Sequence, residues 1–152
     1  MRTKDGTGTD GFWKTYRYTD GLASNDVRAL LLDKDGLIWA GTVEGVSVFD
    51  GRSWRTYTQD DGLEWNWVTT IFQDKEGTIW VGTNGHGLSS FDGKVWKTYT
   101  KKDGLAGDGV VYIVSQDKEG AIWVGVWPCG VSRFDGKNWM TYTVKDGLAS
   151  NN

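Results

Sequence analysis

The sequence predicts an all-β chain built from β-propeller blades, and three observations carry that prediction. Short landmarks recur in one fixed order about every 42 residues, as the units of a repeat architecture do. Glycine and aromatic residues are abundant, with 22 Gly and ten Trp against a single Pro, which favours many short strands joined by tight turns. No segment sustains the apolar spacing of a helix. The landmarks are Trp-x-Thr-Tyr from Trp13, Trp54, Trp96 and Trp139, and Ile-Trp at 38–39, 79–80 and 122–123. Phe-Asp-Gly starts at Phe49, Phe91 and Phe134, and Asp-Gly-Leu at Asp20, Asp61, Asp103 and Asp146.

Each unit reads as four strands. The first covers 27–32, 68–73 or 111–116 and ends in Asp-Lys-Asp-Gly or Asp-Lys-Glu-Gly, whose Gly supplies a positive φ. That turn faintly resembles a calcium loop but lacks the further spaced ligands, so it is read as a turn. The second strand carries Ile-Trp, at 37–42, 78–83 and 121–126. A short variable loop leads to the third, at 46–49, 88–91 and 131–134, and an Asp-Gly hairpin signal leads to the fourth, at 54–58, 96–100 and 139–143. Four antiparallel strands in about 42 residues match a propeller blade. Such a sheet must stack on neighbours to bury its faces, so the recurring Trp and Phe are assigned to packing between blades. The organisation is a polar tail at 1–11 and one repeat domain at 12–152. Within that domain an extra outer strand lies at 12–18, blades at about 25–58, 66–100 and 108–143, and a tail at 144–152.

Composition excludes several chemistries. The net charge of −3 is dispersed, whereas nucleic-acid binding needs a clustered basic face. No run approaches the ~20 apolar residues of a membrane span, and no signal peptide is visible at the start. Cys129 is the only cysteine, so no intrachain disulfide or thiolate metal cluster can form; it is read as a small packing residue. His86 is the only histidine, which rules out two-histidine metal motifs and most triads. No cofactor or metal is expected.

The series Gly21-Leu22, Asn25, Val27, Asp33, Gly36, Ile38-Trp39, Gly41-Thr42, Phe49-Asp50-Gly51, Trp54, Tyr57 resembles the two-component regulator propeller repeat. The resemblance runs from Phe12 to the C-terminus. It implies blades of the kind that form extracytoplasmic sensors of bacterial hybrid histidine kinases, many of which detect glycan fragments. It also implies a periplasmic or secreted location and a part in signal transduction. The chain departs from that pattern in carrying no transmembrane, kinase or receiver segment, and too few blades for a closed ring. Streptogramin-inactivating lyases use related repeats, with a histidine acting beside acidic groups and magnesium. One histidine and no identifiable acid cluster argue against that activity, and an enzyme is not expected.

Function is sought where the repeats differ. The return loop reads Ala23-Ser24-Asn25-Asp26, then Glu64-Trp65-Asn66-Trp67, then Ala106-Gly107-Asp108-Gly109. The loop after the second strand reads Val43-Glu44-Gly45, then Asn84-Gly85-His86-Gly87, then Trp127-Pro128-Cys129-Gly130. Both loop classes lie at one end of an up-down-up-down blade. Trp65, Trp67, His86 and Trp127 are therefore the candidate ligand-binding residues, on a rim suited to sugar rings, apolar groups or cations. The competing reading is that the extra Trp plug the channel wall and His86 is a turn residue. Asn25 and Asn66 are read as caps of the return loop. Arg28, Thr69 and Tyr112 are equivalent first-strand residues of the channel, as are Ala29, Thr70 and Ile113.

The expected function is a non-catalytic module binding a glycan or another small molecule. The alternatives are a self-assembling structural fragment without a ligand, and the lyase. Propellers use four to eight blades; two copies supply six and three supply nine, so a homodimeric ring is favoured over a trimer. The segment 12–18 gives each chain four outer strands for three sets of inner strands.

Overall fold

The computed structural model describes residues 13–151; the tail at 1–11, Phe12 and Asn152 lie outside the described residues. Three four-stranded antiparallel sheets follow in chain order. Blade one is β1 (Val27–Leu32), β2 (Ile38–Thr42), β3 (Gly45–Phe49) and β4 (Trp54–Tyr57). Blade two is β5 (Val68–Gln73), β6 (Ile79–Thr83), β7 (Leu88–Phe91) and β8 (Trp96–Tyr99). Blade three is β9 (Val110–Gln116), β10 (Ile122–Trp127), β11 (Gly130–Phe134) and β12 (Trp139–Tyr142). Within each sheet every strand pairs with its sequence neighbour. β1 lies beside β5 and β5 beside β9, so the first strands are the innermost.

The turns and caps explain why the strands stop where they do. The Asp33 Oδ1 accepts the amides of Asp35 and Leu37, while Oδ2 accepts the Trp39 indole N–H at 2.7 Å. Asp74 and Asp117 hold Trp80 and Trp123 in the same way, each at 2.8 Å. The motif thus closes the turn and pins the Trp of the following strand. After each outer strand, and likewise after residues 13–17, a single 3-10 turn leads into Gly-Leu, where Gly21, Gly62, Gly104 and Gly147 have φ between 101° and 109°. Only glycine adopts that conformation without strain. The side chains of Asn25 and Asn66 accept the amides of Tyr18 and Gln59, which makes them the loop caps the sequence indicated.

Packing between blades forms two cores. One joins Trp39, Val46 and Tyr57 of blade one to Val68, Ile79 and Phe91 of blade two. The other joins Trp80, Leu88 and Tyr99 to Val111, Val114 and Ile122 of blade three. Each fully buried Val or Leu contributes about 1.5–3 kcal/mol. Tyr57 lies 5.3 Å from Phe91 and 5.6 Å from Trp96, and Tyr99 repeats that seat on Phe134 and Trp139. The recurring aromatics within the three blades are therefore packing residues, whereas Trp13, the first Trp of the recurring Trp-x-Thr-Tyr, is fully exposed and packs on no blade.

The expected outer strand at 12–18 is corrected by the structure. Residues 13–17 form no strand, and Tyr18–Asp20 is a 3-10 turn. The reason is that no third strand stands beside the segment to share its backbone hydrogen bonds. Tyr16 nevertheless packs 5.0 Å from Phe49 and 5.5 Å from Trp54, the seat that Tyr57 takes on the next blade.

Candidate functional site

The return loop and the second-to-third hairpin of each unit meet on one rim, as the strand order requires. The Val43 amide donates to the Asp26 carbonyl and the Asn84 amide to the Trp67 carbonyl. In unit three Gly109 packs against the Trp127 carbonyl, where a side chain would collide. Buried Ser47, Ser89 and Ser132 accept the amides of Ala23, Glu64 and Ala106, tying each return loop to the third strand of the following sheet.

The inner strands add a second device. Pairing of β1 with β2 skips between Val27 and Ala29, and pairing of β5 with β6 skips between Val68 and Thr70. In blade three Val126 pairs with Val111 while Gly125 pairs with Ile113. Arg28, Thr69 and Tyr112 are the residues passed over, one per blade. A bulge bends its strand and re-aims a side chain. It sets these three on the innermost strands, where they line a cleft of about 280 Å³ with Trp67, Asn84 and Val110. All three blades contribute to it.

The cleft mixes flat apolar faces with polar edges. Trp67 is 42% exposed and Tyr112 62%. The Arg28 guanidinium forms a two-pronged pair with Asp26, both contacts at 2.7 Å. That hydrogen bond and the neighbouring charge raise the Arg28 pKa above its ordinary value. With its charge matched, the pair offers directional polar groups more than a free positive charge. The Thr69 hydroxyl donates to the Val111 carbonyl across the blade boundary.

The four sequence candidates fall in three places on this rim. Trp67 lines the cleft formed with Arg28, Thr69 and Tyr112. Trp65 and His86 stack on each other with ring centroids 4.0 Å apart and planes 21° apart, so each covers one face of the other. Trp127 lines a second, mainly apolar cleft of about 270 Å³ with Ile113, Gly125, Val131 and Asn151. Tyr112 lines both clefts and is the residue that connects them. Cys129 packs against Gly107 and Gly109. Sequence comparison placed Arg28, Thr69 and Tyr112 on the channel but gave no reason to group them with Trp67. The bulges supply it, and only the alternation break around Val27, Val68 and Val111 hints at them.

Comparisons with known proteins agree with this architecture. The family model of the two component regulator propeller matches residues 21–44 and 62–85. A comparison with curated proteins finds no match. Among solved structures, the extracellular domain assigned to the hybrid two component system BT3049 from B. thetaiotaomicron is 26% identical with a TM-score of 0.79. The alignment covers 91% of this chain and 20% of that one. The extracellular domain assigned to BT4673 of the same organism is 21% identical with a TM-score of 0.70, over 82% of this chain and 19% of that one. Virginiamycin B lyase from Staphylococcus aureus shares the fold at 16% identity and a TM-score of 0.59, over 77% of this chain and 41% of that one. The chain thus spans about a fifth of the length of the two extracellular domains. No helix among the described residues is long and apolar enough to cross a membrane. Of the three sheets of one plan, the first two open on segments that match the two-component regulator propeller repeat.

Proposed function

We propose that the chain is a non-catalytic, sensor-type binding module that takes a neutral glycan or a similar small molecule at the channel mouth. The observation that carries this reading is the cleft built by three strand bulges, with exposed Trp67 and Tyr112 faces beside Arg28, Asn84 and Thr69. Aromatic faces take the apolar side of a sugar ring, and an ion-paired Arg with an amide takes its hydroxyls. The stacked Trp65 and His86 stand on the same rim, and Trp127 extends the surface beyond Tyr112. The extracellular neighbours support an extracytoplasmic location. Likeness to virginiamycin B lyase, at 16% identity, concerns the fold, and we read the chain as having no catalytic role.

Titration of Trp fluorescence with a panel of neutral oligosaccharides tests the reading. At least one should shift the emission, and Trp67→Ala should weaken its binding about tenfold, the loss of one good stacking contact. No response to any sugar, or equal binding by Trp67→Ala and Tyr112→Ala, would sink it.

A further inference from the structure

Asn84 lines the cleft of Trp67 and Tyr112, and its setting differs from that of the other asparagines. Of Asn25, Asn66, Asn84, Asn138 and Asn151, only Asn84 is followed by glycine. Three of the others are committed to turn amides: Asn25 accepts from Tyr18, Asn66 from Gln59 and Asn151 from Val144. Asn138 precedes the bulky Trp139. No hydrogen bond engages the Asn84 side chain among the described residues.

The fold holds the ends of this loop and leaves its middle open. The Asn84 amide donates to the Trp67 carbonyl at 2.9 Å, Asn84 bridges Val110, and the Thr83 amide donates to the Gly87 carbonyl. Between these anchors Asn84 and Gly85 are half-exposed and His86 is exposed, so water reaches the pair. A Cβ built on Gly85 would find only the Asp108 carbonyl, 3.8 Å away. Glycine thus puts no side chain between its own nitrogen and the preceding amide group.

We infer that Asn84 is a self-modifying site, at which the cleft converts from neutral to anionic. The Gly85 nitrogen attacks the carbonyl carbon of the Asn84 side chain. As that bond forms, the bond to the side-chain nitrogen breaks, and ammonia leaves with the proton given up by the Gly85 amide. One water then opens the cyclic imide. Entering at the side-chain carbonyl, it leaves aspartate at position 84. Entering at the main-chain carbonyl, it leaves isoaspartate, whose main chain runs through the former side chain. Either way ammonia is exchanged for water, and no oxidant, reductant or second protein takes part.

The consequence falls on the cleft. Arg28 is already matched by Asp26, and Trp67, Thr69, Val110 and Tyr112 bring no formal charge. A carboxylate at position 84 therefore leaves the cleft net negative. It also only accepts, where the amide it replaces both donates and accepts. Resting on the reading of this cleft as a sugar site, the modified chain is the weaker binder of a neutral sugar. The other two units lack the device, because Val43 and Trp127 hold the equivalent position.

Mass spectrometry of the folded 152-residue chain, incubated at neutral pH and compared with a sample digested at once, tests the modification. The tryptic peptide 76–94 holds Asn84 as its sole asparagine. It should give way with time to two separable products of one mass, heavier than the parent by the exchange of NH for O. Peptides carrying Asn25, Asn66 and Asn138 should stay unchanged. Asn84→Gln should abolish the acidic species on isoelectric focusing at an unchanged circular dichroism spectrum. An Asn84 that stays intact in the folded chain, conversion as fast at Asn66, or an acidic species persisting in Asn84→Gln would each overturn the inference. Asn84→Asp, which carries one of the two products, should bind the oligosaccharide that shifts the parent's emission about fivefold more weakly, the worth of one net hydrogen bond. Equal affinity would overturn the link to the cleft, whereas a parent that binds no sugar would sink the sugar reading alone, since the mass readout is independent of it.

Discussion

Asp33 holds three donors with one carboxylate, and its equivalents Asp74 and Asp117 accept the indole N–H of Trp80 and Trp123 in their own blades. Asp33 is itself 7% exposed, so removing it strands a buried indole N–H along with two turn amides. Asp33→Ala should destabilise the fold by about 2–3 kcal/mol, read as a lower urea midpoint at unchanged slope. The turn was legible in the sequence, because Asp-x-x-Gly between two apolar runs has a mechanism of its own. Its bond to the Trp six residues later was not, since nothing in a period of two says which side chains meet across a hairpin. The serine at Ser47, Ser89 and Ser132 was missed for a related reason. A small polar residue on a strand carries no signal until the return loop is laid over it.

At the level of the element, the strands fell where the recurring landmarks placed them, with no bound differing by more than one residue. The bulges escaped notice because the passed-over residues, Arg28, Thr69 and Tyr112, share no chemistry. The candidate Trp were found as departures from the repeat, yet proximity on a rim did not reveal that Trp65 would stack on His86. Glycine in the second strand marks where the neighbouring blade presses closest. A Cβ on Gly82 would lie 2.6 Å from Val111 Cγ1 and from Thr70 Cγ2, while on Gly125 it would lie 2.7 Å from the Ile113 Cγ2 alone. Gly82→Ala should therefore cost about 2 kcal/mol, the scale of overpacking a closed joint, and Gly125→Ala less than half of that. Thermal melting of the two variants side by side checks the ordering.

Across the whole molecule, exposed carboxylates repeat as regularly as the aromatics. Two amides each hold Asp50, Asp92 and Asp135 below the ordinary carboxylate range, Ser53 and Arg52 in the first case. The Gln116 side chain lowers Glu76, and the Trp123 indole lowers Asp117. A carboxylate whose pKa falls on folding stabilises the native state above its unfolded value and loses that contribution as pH drops through the folded one. Melting temperature should accordingly be flat near neutrality and decline below about pH 4, where unfolded carboxylates take up protons. A chain whose stability rose on acidification would contradict these hydrogen bonds. The Asp-Gly-Leu glycine has a consequence of another kind. Gly21, Gly62 and Gly104 each rest on the Cβ of a Trp about 33–35 residues ahead, in the following blade, namely Trp54, Trp96 and Trp139. Every blade thus carries one socket and one plug of the same shape. A gene for such a chain can gain or lose whole units at this boundary and still leave each plug a socket, and the three spacings show that the loops in between absorb an extra residue or two without breaking the pair.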